Sequence, residues 1–174
     1  MAAYSDPSSI VKVIRDGTTT LKDSGGTNTF TVDYEDGDTG FAIGPGDIDE
    51  VLVIYHRNVI RGSRKAKQNP IEISFTVALE SFTNSKSGAS NPASLLDVIS
   101  GTGGASSWTK VSSAHEHFNL DMVFKVEGTD HNDGADHEVT FAQCVFKYSI
   151  SDGDPMKVSI SATCLGGFTA TGPA

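Results

Sequence analysis

Nine consecutive residues, Asp130-His131-Asn132-Asp133-Gly134-Ala135-Asp136-His137-Glu138, crowd carboxylate, amide and imidazole donors into one stretch. Donors of this kind could hold a divalent cation. A calcium EF-hand loop places acids or amides at alternate positions one, three and five, with glycine at six. Counting from Asp130, Gly134 falls at position five, so that match fails. His115-x-His117 could donate to a transition metal, because alternate residues of a strand share a face. A plainer account competes with both, since polar surface loops between strands collect such residues. The expectation is that the chain needs no metal and no cofactor.

Catalytic signatures are equally sparse. There is no Gly-x-x-x-x-Gly-Lys phosphate loop and no Gly-x-Ser-x-Gly nucleophile elbow. Two His-Glu pairs could open a zinc-protease helix, but Asn119 and Phe141 stand where the second histidine is needed. Two cysteines, Cys144 and Cys164, read as reduced intracellular thiols. Cysteine is among the most buried residue types even when unpaired, so inert core thiols are expected in preference to a redox pair. The chain is expected not to be an enzyme.

Charge is more informative. From Asp23 to Glu50 every charged residue is acidic: Asp23, Asp33, Glu35, Asp36, Asp38, Asp47, Asp49 and Glu50. Arg57, Arg61, Arg64, Lys65 and Lys67 follow with no acid among them. One reading is a solvated surface with chance blocks. Another is local nucleic-acid contact by the basic loop, which the net charge of −9 and the lack of interleaved aromatics disfavour. A third is docking of acidic loop to basic loop between copies, since unlike surfaces suit head-to-tail association. The acidic balance also argues against an anionic membrane as partner, and no aliphatic run approaches the length of a membrane span.

The elements that must carry these residues are mostly strands. At 174 residues, with 37% hydrophobic and 20% charged residues, the chain suits one globular domain spanning 1–174. Strand signals run at Ile10 to Ile14, at Thr18 to Leu21 and at Asn28 to Asp33. Glycines 37, 40, 44 and 46 then mark loop. Val51 to Ile60 is apolar on both sides at its start, which suits a buried strand. Ile71, Ile73, Phe75, Val77 and Leu79 alternate with Glu72, Ser74, Thr76 and Glu80, placing the first set inward. One helix is expected over 91–101, with Asn91 as N-cap, Pro92 at its first position and Gly101 at its stop. Leu120, Met122, Phe124 and Val126 line a further strand. A closing hairpin centred on Gly153 sets Phe146 opposite Ile160, Tyr148 opposite Val158 and Cys144 opposite Ala162, with the two cysteines diagonal neighbours. Seven or eight strands and one short helix predict a mainly β fold, a β-sandwich or small barrel.

The order of these pieces resembles the tail tube proteins of long-tailed bacteriophages. The N-terminal hairpin, the acidic loop, the charged loop before Ile71-Glu72-Ile73-Ser74-Phe75 and the helix Leu95-Leu96-Asp97-Val98-Ile99 follow that order. So do Leu120-Asp121-Met122-Val123-Phe124 and Val139-Thr140-Phe141-Ala142-Gln143-Cys144-Val145-Phe146. The last strand runs into Ser149-Ile150-Ser151-Asp152-Gly153-Asp154-Pro155 and then Val158-Ser159-Ile160-Ser161. The resemblance covers nearly the whole chain as a pattern, without a diagnostic motif. It implies a homo-oligomer of hexameric rings stacked into a virion tail tube, assembled in the host cytoplasm beside other tail proteins, with no membrane. Genomic DNA would pass through the lumen without specific binding. An acidic, hydroxyl-rich wall would repel phosphates or let them slide. Candidates for that wall are Glu72, Ser74, Thr76, Glu80, Ser159, Ser161 and Thr163, and the inter-ring candidates are the five cations from Arg57 to Lys67 with Asp33, Glu35, Asp36, Asp38, Asp47, Asp49 and Glu50.

A rival class is a stand-alone β-sandwich binding module, such as a capsid-decoration or carbohydrate-binding domain. Such a module would expose aromatics to its ligand. Trp108, the sole tryptophan, could serve it from its Gly/Ser loop or could pack against the helix.

Overall fold

The structure, a computed structural model, describes residues 17–32, 42–44, 49–78, 94–126, 137–153 and 156–172, with backbone alone at 17, 49–51, 66–68 and 126. The strand at Ile10 to Ile14, most of the acidic segment, Leu79, Glu80, residues 91–93 of the expected helix and the loop Asp130 to Asp136 lie outside these residues. What is described is mainly β. The strands are β1 (Gly17–Lys22), β2 (Thr29–Val32), β3 (Ala42–Gly44), β4 (Asp49–His56), β5 (Val59–Gln68), β6 (Ile71–Ala78), β7 (Leu120–Val126), β8 (His137–Ser151), β9 (Lys157–Cys164) and β10 (Phe168–Thr171). One helix, α1 (Leu95–Ser100), precedes a 3₁₀ turn at Gly103–Ala105.

Eight strands form one antiparallel sheet in the order β2-β1-β7-β8-β9-β6-β3, with β10 also on β8. The path is open rather than closed into a barrel. Strand β8 is shared by two wings. Its first half pairs with β7 on one side and β10 on the other, and its second half pairs with β9. Strands β9 and β10 run in the same direction along β8, parted by Leu165, Gly166 and Gly167. Bulges of this kind let a strand pass from one sheet direction to another.

The fold line has its own chemistry. Leu120 pairs with Cys144 but Met122 pairs with Phe141, so Ala142 and Gln143 together oppose Asp121. Gln143 takes the left-handed conformation, with φ 57°. Its displaced backbone N–H donates to Asp121 Oδ1 at 2.9 Å, which replaces the lost ladder bond. Because of the extra residue, Phe141 and Cys144 both point into the core although they are three apart. Simple alternation back from Cys144 would place Ala142 on that face instead. Opposite the bulge, a Cβ on Gly166 would fall 2.8 Å from Ala142 Cβ, so the close approach requires glycine.

The core lines the inner face of both wings. Leu21, Val32, Met122, Phe124 and Phe141 come from one wing, and Ile71, Ile73, Phe75, Val77, Val158 and Ile160 from the other. Helix α1 closes the open side by burying Leu96, Val98 and Ile99 against β2 and β8. Ser94, not Asn91, is its N-cap. Asp97 N–H donates to Ser94 Oγ at 3.1 Å, and Ser94 N–H donates back to Asp97 Oδ2 at 3.3 Å. Gly101 ends the helix with φ 63°, as its sequence position predicts.

The closing hairpin has the expected faces in a different register. Cys144 stands directly opposite Cys164, Phe146 opposite Ala162 and Tyr148 opposite Ile160. The ladder is shifted by two residues, a full pleat period, so the same residues share each face, although Tyr148 and Ile150 are exposed towards the hairpin end. Residues 42–44, expected as loop, pair with β6, and β10 is an additional strand.

Candidate functional site

Strands β4 and β5 stand apart from the main sheet as a two-stranded hairpin. Their link is only two residues, Arg57 and Asn58, with φ of 51° and 62°. Two consecutive left-handed residues make the tight turn whose twist matches that of the flanking strands, and asparagine tolerates that region well. Register shifts between Ile54 and Tyr55, and between Asp49 and Val51, bend the ribbon along its length. Neither strand packs extensively on any other described element.

The expectation of a buried strand at Val51 to Ile60 is corrected here. The described side chains from Leu52 to Ile60 are exposed, with Tyr55 at 63% and Ile60 at 64%. Leu52 and Ile54 point to one face of the ribbon, Val53 and Tyr55 to the other, since alternate residues alternate faces. An amino-acid pattern suited to burial on both sides is buried on neither. The cations are not in a loop either. Arg57 is in the turn, while Arg61, Arg64, Lys65 and Lys67 lie along β5. Arg57, Arg61, Arg64 and Lys65 are exposed.

The acidic candidates Asp33, Glu35, Asp36, Asp38 and Asp47 lie outside the described residues. Asp49 and Glu50 begin β4 beside the end of β5 that carries Lys65 and Lys67, so the base of this hairpin holds both signs of charge, with Arg57 at its tip. At about 3.3 Å per residue the two ends are about 25 Å apart. Asp23 is different from the rest of its block. It is buried at the β1–β2 turn, where Asn28 Nδ2 donates to Oδ2 at 2.7 Å and Asn28 N–H donates to Oδ1 at 3.3 Å. Burial raises the carboxyl pKa, but the hydrogen bonds from Asn28, Thr109 and Gly25 together outweigh it and hold Asp23 below its ordinary value.

A second surface is the outer face of the β6–β9 ladder. Glu72 pairs with Thr163, Ser74 with Ser161 and Thr76 with Ser159. Thr76 Oγ1 and Ser159 Oγ share a hydrogen bond at 3.4 Å. All six therefore share one face, opposite the core, and Glu80 lies outside the described residues. Lys147 and Ser149 extend the face onto β8 opposite Ser161 and Ser159. The wall is thus rich in hydroxyls, with Glu72 balanced by Lys147 and Lys157, rather than acidic throughout.

The remaining candidates find local partners. His115 Nε2 lies 2.9 Å from Gln143 Oε1, at the bulge. Asn119 is buried and holds its loop by donating from Nδ2 to the carbonyls of Ser112 and His117. Among the described residues no three potential metal ligands cluster, and no helix is long and apolar enough to cross a membrane. Trp108 is half-buried and packs against the core cluster.

No family model and no curated protein matches the sequence. Solved structures do match in shape. A chain of the anti-feeding prophage baseplate, six-fold symmetrised, aligns with a TM-score of 0.52 at 9% identity, covering 94% of this chain and 97% of that one. A chain of the sheath–tube complex of PVC, an extracellular contractile injection system in its extended state, aligns with a TM-score of 0.54 at 9% identity, covering 98% and 100%. The chain shares their fold. At that identity the likeness lies in the course of the backbone.

Proposed function

We propose that the protein is a structural subunit of a phage-tail-like particle, and that hexameric rings of it stack into a tail tube through which DNA leaves a long-tailed phage. The carrying observation is the β4–β5 hairpin, whose strand β4 is apolar on both faces and exposed on both. A lone two-stranded ribbon is marginal in water, and a contiguous apolar surface marks an interaction site. A partner that supplies the missing burial accounts for both features. A second copy fits that partner, because the cations along β5 belong to a chain whose net charge is −9. The shared fold with chains of two multi-subunit tail-like assemblies supports the same reading. The hydroxyl-bearing face of β6 and β9 suits the lumen, since short side chains hold phosphates weakly and one acid offsets part of the lysine charge.

Negative-stain microscopy with sedimentation at low salt tests the proposal on the purified chain. Rings and tubes are expected. A species that stays monomeric at every protein concentration and ionic strength would overturn it.

A further inference from the structure

The two cysteines meet across the fold line. Cys144 on β8 and Cys164 on β9 are direct cross-strand partners, both buried and unbridged. The hydrogen bond beside them defines their geometry. Leu165 N–H donates to Gln143 O at 3.3 Å, which makes 143/165 a hydrogen-bonding site of the ladder. The adjoining 144/164 position is then a non-hydrogen-bonding site, where Cα atoms lie about 4.5 Å apart and side chains approach closest. A disulfide accepts Cα separations of about 4.4–6.8 Å, so the pair can close without moving either strand.

Access is asymmetric. Cys164 lines a cavity of about 300 Å³ together with Asn69, Pro70, Leu165, Gly167 and Phe168. Leu165 and Phe168 are exposed at its wall, so the cavity opens to solvent. A water-sized molecule needs about 30 Å³, so a small oxidant fits this cavity. Cys144 sits deeper and donates its S–H to Phe141 O at 3.4 Å. Hydrogen bonding with Cys164, then burial, pushes its thiol pKa up, so it stays protonated until a partner sulfur is activated.

We propose that Cys144 and Cys164 form an oxidation site that closes to a cross-strand disulfide when a small peroxide enters the cavity beside Cys164. Cys164 takes one oxygen as the peroxide O–O bond breaks, giving a sulfenic acid and one water. The Cys144 sulfur then attacks the Cys164 sulfur. The S–S bond forms, the S–O bond breaks, and hydroxide leaves with the Cys144 proton as a second water. Two thiols lose two electrons and one peroxide gains them. The product staples β8 to β9 beside the Gln143 bulge, where the two wings join.

Intact-mass spectrometry of the reduced full-length chain, treated natively with hydrogen peroxide, tests the site. The expected result is a loss of about 2 Da, reversed by dithiothreitol. The oxidised form should melt about 5–10 °C higher, since bridging a loop of this length constrains the unfolded chain. Cys144→Ala should instead trap Cys164 as a species about 16 Da heavier that reacts with dimedone. Three results would overturn the proposal: unchanged mass in the native wild type, stepwise oxygen addition without the 2 Da loss, or a bridge that forms only after unfolding in urea.

Discussion

Gly101 lies so close against the ring of Phe118 that a Cβ on it would fall 2.9 Å from Phe118 Cε2. The helix stop and the loop leading into β7 are therefore one packed joint. Gly101→Ala should cost about 2–4 kcal/mol, combining left-handed strain with overpacking. Ser94→Ala at the other end removes only a cap, worth about 1 kcal/mol. Urea denaturation of both variants checks the order, and equal costs would show that the Phe118 contact carries nothing.

The closing register makes a second contrast. Ile160 is fully buried, while Tyr148, directly opposite it, is half exposed near the hairpin end. Ile160→Ala should cost about 2–5 kcal/mol. Tyr148→Ala should cost well under half as much, because its ring leaves little cavity behind. Equilibrium unfolding distinguishes this from the register centred on Gly153, in which Phe146 rather than Tyr148 faces Ile160.

Acid stability should depend on Asp23. Its folded pKa is lowered, so its contribution is complete above the unfolded aspartate value of about 3.9 and is lost as pH falls through the folded value. A melting series from pH 5 to pH 2 should show Asp23→Asn losing less stability on acidification than the wild type. Identical acid limbs would assign the sensitivity to other carboxylates.

Assembly and folding should separate at the β4–β5 hairpin. Tyr55→Ser with Ile60→Ser removes exposed apolar surface, so protomer stability should change by no more than about 0.5 kcal/mol. Polymerisation should be lost. Reversal of Arg61, Arg64 and Lys65 to Glu should slow tube growth at low salt, and in the wild type growth should slow as salt screens pairs over about 10 Å at 0.1 M. Light scattering reads all three, and unimpaired growth of the serine double variant would free the hairpin of any assembly role.

Much of this was legible because burial writes a period into the residues. Ile71, Ile73, Phe75 and Val77 alternate without interruption, and all four are core. The helix stop at Gly101 was visible for a comparable local reason. The two-residue register shift was not visible, because hydrophobic pattern distinguishes odd slips from even ones but not one even register from another. The Gln143 bulge was hidden too, since glutamine carries no mark of left-handed backbone and its support, Asp121, is remote in sequence. At the candidate site the hydropathy of residues 51–60 pointed to a buried strand, whereas the described side chains from Leu52 to Ile60 are exposed. The cysteine pair was read as diagonal for the same register reason, and its direct opposition is what gives it chemistry.

The pairing of β1 with β7 joins Gly17 to Val126, and that of β6 with β9 joins Ile71 to Cys164. By contrast, the β4–β5 turn pairs His56 with Val59. Ladders between near neighbours close early, and those that must gather distant chain wait for it. On a ribosome both wings stay incomplete until their late strands emerge, whereas the hairpin can zip as soon as its own residues are free. The exposed apolar hairpin is thus formed before the body that will carry it, and an emerging chain shows that apolar surface while its wings are still incomplete.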